Sequence, residues 1–352
     1  MISNVLPVAA LAGAAMAACP LSVEVTGTTG NVAQVAITNT ASEAVTVFKG
    51  NTAMLDHATM DLLVSDAEGK DLPFTGSFVK YARSSISPEM FQTFQPGETI
   101  TAEVNAAKSY KLAGVEKAQV SALQGFHYVA GTEAPTALKD TEFCETSSSA
   151  VEMTPDQSVA AEQHITAGET DFNSRIKKRS ISYSSCSTSQ TSSLKTSVSD
   201  AISLAKAAQT AAGTAAYYFT TWFKSTSVES KVQGIYGDVT NVQTTSPTIS
   251  CTDTYGDCRD GTALLYTVPD KNTIVPCPNN GYWDFPELAT TCADDDYDKA
   301  GSILHEMTHL YGTNDYAYGQ TAAKKLSAAQ AAANADTYEI YAGSVRLGGC
   351  SS

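Results

Sequence analysis

Between residues 20 and 143, hydrophobic and polar positions alternate in short runs. Residues 21–25, 32–37 and 44–48 follow a period of two, and similar runs cover 60–64, 99–104 and 118–123. Turn-forming residues stand between them: Gly27 and Gly30, Asn39, the stretch 66–69 and Pro96-Gly97. Such runs predict an all-β, immunoglobulin-like sandwich over residues 18–144. His57 and His127 have no acidic or cysteine companion at ligand spacing, so they read as packing or surface residues.

The pattern then changes twice. Residues 145–179 are polar, without a sustained period, and end in Arg175-Ile-Lys-Lys-Arg179. Residues 180–352 follow a helical period instead. Helices are predicted over 194–223 (one or two), 227–242, 297–310, 321–333 and 335–343, with one strand over 263–268. The chain therefore divides into a β-module, a linker and a helix-rich α+β domain with a small sheet.

Composition sets the context. The chain has 352 residues, with 22 Lys and Arg against 37 Asp and Glu, a net charge of −15. That balance argues against nucleic acid as the partner, because phosphate binding needs clustered bases. Residues 1–17 combine an apolar run with a small-residue site, Ala15-Met16-Ala17, and read as a cleaved signal peptide. No later segment has the ~20 apolar residues of a spanning helix, so a secreted protein free of the membrane is expected. Secretion makes the eight cysteines disulfide candidates. Cys19 and Cys144 bracket the β-module, while Cys186, Cys251, Cys258, Cys277, Cys292 and Cys350 fall after Arg179. The boundary at Lys178 and Arg179 suits a kexin-like processing protease, which cuts exposed chain after paired basic residues. The bland reading is a solvated charge run.

The chemistry concentrates in His305-Glu306-Met307-Thr308-His309. Histidines four apart share one helical face and can bind one metal, and the intervening glutamate can reach water there. After Arg179 the chain has no other histidine. A zinc ion, one per domain, needs a third protein ligand and an open position. The residues alone leave two candidates: Asp315, past the turn at Gly312, and Glu339, from a later helix as in thermolysin-like peptidases. A metzincin would have histidine at 315 and a later methionine, and no methionine follows Met307.

His305-Glu-x-x-His309 followed by Gly312-Thr-x-Asp-x-x-Tyr-Gly319 resembles the signature of the aspzincins, the fungal deuterolysins and peptidyl-Lys metalloendopeptidases. Asn334-Ala-Asp-Thr-Tyr338 is similar to a downstream element of that family, and the layout of signal, β-rich propeptide, basic site and disulfide-bonded domain matches along the whole chain. The resemblance implies a zincin-like fold and a secreted zinc endopeptidase made as a zymogen, acting on protein or peptide substrates, with its own propeptide as partner. It implies zinc ligation by His305, His309 and Asp315, a general base at Glu306 and transition-state stabilisation by Tyr318. It also implies disulfides Cys186–Cys251, Cys258–Cys277 and Cys292–Cys350. In the lysine-selective branch, acidic residues placed as Asp336 and Glu339 receive the lysine after the cut. The residues themselves admit another role, with Asp336 bracing a zinc ligand and Glu339 solvated, and Tyr318 admits simple packing. The 10 Lys and Arg against 17 Asp and Glu after Arg179 favour cationic substrates in any case. A different function remains to be weighed, a secreted binding or effector protein with a decayed protease domain. The intact ligand and base residues argue against it.

Overall fold

A computed structural model describes residues 19–159, 180–259, 261–294 and 296–350. The expected signal peptide (1–17) and the processing site at Lys178 and Arg179 lie outside the described residues. Among the described residues, no helix is long and apolar enough to cross a membrane.

The N-terminal module contains β1 (Leu21–Thr29), β2 (Val32–Asn39), β3 (Val45–Phe48), β4 (Leu62–Asp66), β5 (Phe78–Tyr81), β6 (Phe91–Phe94), β7 (Thr99–Asn105), β8 (Ala118–Ala130), β9 (Glu142–Ser147) and β10 (Val151–Met153). One antiparallel sheet has the order β1-β2-β7. The other is organised by β8, whose first half pairs with β4 and β10 and whose second half pairs with β3 and β9. The alternation predicted for β1 is visible in its burial, with Val23 and Val25 inside and Glu24 outside. Val35 and Ile37 share a core with Val47, Val120 and Phe126, so both sheets close on one interior. The disulfide Cys19–Cys144 staples the first strand to β9.

The C-terminal module adds β11 (Ser182–Ser184), α1 (Thr188–Ala212), α2 (Phe219–Phe223), α3 (Glu229–Thr240), β12 (Thr248–Ser250), β13 (Ala263–Val268), β14 (Thr273–Pro276), α4 (Lys299–His309), α5 (Gly319–Ala323), α6 (Ala328–Ala331) and α7 (Ala335–Arg346). A capping box between Ser187 and Gln190 starts α1, which buries Leu194, Val198, Ala201, Ala205 and Ala208 against α3, α4 and α7. The predicted helix over 194–223 breaks where Ala215, Tyr217 and Tyr218 take positive φ. The one over 321–333 breaks at Ser327, whose capping box with Gln330 starts a new helix. Cys186–Cys251, Cys258–Cys277 and Cys292–Cys350 are disulfides.

The largest departure from the sequence expectation is β5, a segment for which no strand is predicted. It does not lie in either N-terminal sheet. It adds to the edge of the C-terminal one, in the order β11-β12-β14-β13-β5, and pairs antiparallel with β13. All four of its residues are buried, so period-two alternation is absent and the sequence pattern gives no strand signal.

Candidate active site

Helix α4 carries the two histidines. Asp298 caps it by accepting from the Gly301 N–H, and every residue from Ala300 to His309 is buried. The apolar stripe of Ala300, Ile303, Leu304 and Met307 joins the main helical core. The opposite, polar face is buried as well, because α4 packs there against β13 and β5. The helix ends at His309, and Gly312 at φ +92° turns the chain back.

That reversal brings Asp315 over both imidazoles. Its Oδ1 lies 3.1 Å from His305 Nε2 and 3.4 Å from His309 Nε2. Neither Nε2 nor either Asp315 oxygen has a hydrogen-bond partner, although all are buried. Buried, convergent and unpartnered donors are what a metal site requires. The spacing fits too, since tetrahedral donors ~2.0–2.1 Å from zinc are about 3.3 Å apart. Tautomers are set from behind. His309 Nδ1 lies 3.0 Å from the Thr313 carbonyl, which can only accept, so Nε2 is left free as a ligand. His305 Nδ1 faces Asp336 Oδ1 at 3.5 Å and Glu339 Oε2 at 3.4 Å, with the same consequence. Burial and Lys80 oppose protonation of His305, yet Asp315 and Asp336 hold its pKa well above the ordinary value. The pocket thus calls for positive charge, which a divalent cation can supply in place of protons.

Glu306 sits beside these donors. Thr267 Oγ1, from β13, donates to its Oε2 at 2.7 Å, and Oε1 has no partner. Burial pushes the Glu306 carboxyl up, against the lowering pull of His305 and His309. Such a carboxylate, with one oxygen anchored and one free, can accept a proton. Tyr318 is buried across the cleft, and burial raises its hydroxyl, as does the nearby Asp315. It therefore stays protonated and donates to the Val79 carbonyl at 2.5 Å, while Asn51 Nδ2 donates to it.

Asp336 and Glu339 face one ammonium, as their spacing on α7 allows, and that ammonium belongs to Lys80 of β5. Its Nζ is 3.4 Å from Asp336 Oδ1 and in direct contact with Glu339 Oε2. Arg83 completes the cluster, with Nη1 3.3 Å from Asp336 Oδ2 and its guanidinium stacked 4.4 Å from the Tyr297 ring. Burial opposes ionisation of both carboxyls. Arg83 and Lys80 nevertheless hold Asp336 well below its usual range, and Lys80 above all lowers Glu339 as well. Glu339 thus lies on the Nδ1 side of His305, and Asp315 on the Nε2 side.

Three contributors, Thr267, Lys80 and Arg83, have no motif to announce them in the sequence, and a fourth, Asn334, stands in one without a role. Thr267 is an ordinary strand residue. Asn334 opens a family element, and its side chain holds the loop that carries Asp315 and Tyr318. Lys80 and Arg83 belong to a module with no catalytic signature; the only hint is two bases within six otherwise uncharged residues, 78–83, in an acidic chain.

Comparison with known proteins was consistent across the chain. Residues 208–343 match the aspzincin family model, described as lysine-specific metallo-endopeptidase. A neutral protease 2 homolog of Arthroderma gypseum is 31% identical over 341 residues, 93% of this chain and 91% of the relative. One from Sclerotinia sclerotiorum is 32% identical over 330 residues, 90% and 87% of the two chains. A probable neutral protease 2 homolog A of Trichophyton rubrum is 30% identical over 340 residues, covering 93% and 92%.

Proposed function

This chain belongs to the aspzincin family of zinc-dependent metalloendopeptidases, and from that membership we propose that it is a secreted zymogen whose mature form cuts peptide bonds on the N-terminal side of lysine. The N-terminal module is read as an immunoglobulin-like propeptide, residues 18–144, joined by a linker, 145–179, to a peptidase domain, 180–352. A signal peptide, 1–17, directs secretion, and a kexin-like protease cuts after Arg179.

His305, His309 and Asp315 are assigned as the zinc ligands. Zinc, when bound, supplies a Lewis acid that polarises a carbonyl and acidifies water. The protein's own residues do the rest. Glu306, fixed by Thr267 with Oε1 free, accepts the proton of the attacking water and delivers it to the leaving amine. The Tyr318 hydroxyl donates to the carbonyl oxygen as negative charge gathers there. Asp336 and Glu339 receive the ammonium of the residue after the cut.

The observation that carries this reading is the convergence of three unpartnered donor atoms beside a half-satisfied glutamate. The lysine preference is supported by the ammonium held between Asp336 and Glu339. Cleavage-site mapping by mass spectrometry, with processed enzyme and a mixed peptide library, tests it. Lysine should be enriched directly after the cut, and the enrichment should fall in Glu339→Gln. Cleavage without such enrichment refutes the pocket assignment alone. No cleavage by zinc-loaded, processed protein refutes the peptidase assignment.

A further inference from the structure

We propose that β5 lies in the catalytic cleft in the register of a substrate, with the Val79–Lys80 peptide bond at the reacting position, so that the intact chain blocks itself with a bait lysine. This rests on the peptidase reading above and adds to it the identity of the inhibitory segment.

Four contacts fix the register, and each involves a different element of the site. First, β5 pairs antiparallel with β13, placing Val79 opposite Tyr266 and Phe78 opposite Thr267, the residue that anchors Glu306. An extended segment added to a free sheet edge is a common way for a cleft to hold a peptide. Second, the Lys80 ammonium fills the acidic pair on α7. Third, the carbonyl immediately before Lys80, that of Val79, accepts from Tyr318. A bond cut before lysine has its reacting carbonyl on the preceding residue, and the oxyanion donor is on that atom. Fourth, the Phe78 ring stacks on the His309 imidazole, with centroids 4.4 Å apart and planes 11° from parallel. Successive residues Phe78, Val79 and Lys80 thus meet a metal-ligand histidine, the oxyanion donor and the lysine pocket in the order a substrate would.

The blockade is deeply seated. Lys80, Val79 and Tyr81 are fully buried. Arg83 locks the strand's exit by pairing with Asp336 and stacking on Tyr297. A strand bound at a subsite for an alternative purpose would not require a lysine at position 80. A plug that imitates substrate does, and any side chain that cannot occupy the acidic pair should weaken it.

The test uses the full chain, compared with the same chain processed after Arg179, and a short fluorogenic peptide with lysine after its scissile bond. The plug competes with the peptide, so intact protein should show a high apparent KM, with kcat approached only at high peptide concentration. Lys80→Met in the intact chain should lower apparent KM at least tenfold with little change in kcat, and Lys80→Arg should retain much of the blockade. Lys111→Ala removes an exposed ion pair to Asp270 across the same module boundary and should leave KM unchanged. A second readout is independent of turnover. Brief acylation with mass-spectrometric mapping should spare Lys80 in the intact chain and modify it once the modules separate after processing. Equal KM for intact wild type and Lys80→Met, with active processed enzyme, overturns the plug. A fall in KM as large for Lys111→Ala as for Lys80→Met also overturns it, since module loosening alone would then explain activation. If the processed chain itself is inert while holding zinc, the peptidase reading fails, not the register.

Discussion

Replacing Asn334 with alanine should damage the metal centre although Asn334 touches none of the proposed ligands. The side chain is fully buried between the loop at 314–319 and the start of α7. Its Oδ1 accepts from Tyr316 N at 2.9 Å and Ala317 N at 3.0 Å, and its Nδ2 donates to Ala317 O at 3.1 Å and Thr337 Oγ1 at 3.0 Å. Alanine removes the acceptor of two adjacent backbone N–H groups. Leaving a buried donor unsatisfied costs about 1–3 kcal/mol, so the pair should cost about 2–5 kcal/mol. At roughly 2–4 °C per kcal/mol for a domain of this size, the unfolding midpoint should drop by about 5–15 °C. The backbone bonds between Asn314 and its neighbours Ala333 and Ala335 remain, so the loop should loosen without leaving. Asp315 and Tyr318 flank the lost contacts, and zinc affinity should fall about 10–100-fold, as for loss of an outer-shell partner. The assay is a melting curve at one scan rate, paired with a competitive chelator titration. Asn314→Ala is the control, since its side chain donates only to Tyr316 Oη. If Asn334→Ala matches that control in both measurements, the loop is held by its backbone and the argument is wrong.

Three further outcomes can be checked. Asp315→Ala should abolish tight zinc binding in a chelator titration, whereas Glu339→Ala, which removes a carboxylate behind His305 Nδ1, should stay within about 10–100-fold; the reverse order would make Glu339 the ligand. Glu306→Gln should keep zinc and fold but lose nearly all turnover, and Tyr318→Phe should lower kcat rather than raise KM, as steady-state kinetics on processed enzyme will show. Burial raises Asp61 to about 6 and lowers His127 to about 4, against their opposite protonation charges. The stability that Asp61 contributes is present below its unfolded pKa and lost as pH rises to about 6, while that of His127 is present above pH ~6.5 and lost as pH falls to about 4. Each spans about 3 kcal/mol, and over this window they oppose each other. Urea midpoints should therefore rise from pH 4 to 6.5 in Asp61→Asn relative to native and fall in His127→Gln; parallel profiles would contradict the assignments.

The candidate site was legible in the sequence where chemistry is local. His305, Glu306 and His309 share one helical turn, and the nearby Gly312 marks the reversal that carries Asp315 back. The expectation of one or two helices over 194–223 admits the break after Gly213; the left-handed stretch at Ala215, Tyr217 and Tyr218 that follows has no Gly or Pro signal of its own. Strand β5 was invisible for a different reason. It is covered on both faces, and its partner β13 lies nearly two hundred residues downstream, so no local period could reveal the pairing. The burial of the polar face of α4 was hidden for a related cause: part of what covers it, β5, belongs to the other module.

The proposed latency and the proposed lysine preference share one electrostatic requirement. Asp336 and Glu339 are buried carboxylates, and burying them unpaired would be costly. Asp336 cannot simply turn to solvent, because its Oδ2 also accepts from Gly319 N at 2.6 Å, at the base of the Tyr318 loop. In the intact chain two positive charges, Lys80 and Arg83, answer the two negative ones, and both come from the N-terminal module. Departure of that module would remove both cations at once. Water would reach the pocket, but the carboxylates would remain fixed beside His305. A cationic side chain arriving on an extended peptide then restores one of the lost charges, and a lysine entering along β13 in the register of Lys80 would reach the same two oxygens. On the proposed reading, the pocket that selects lysine and the pocket that holds the chain shut are the same carboxylates, so a substitution that relaxes selectivity at Glu339 should also loosen the intact protein.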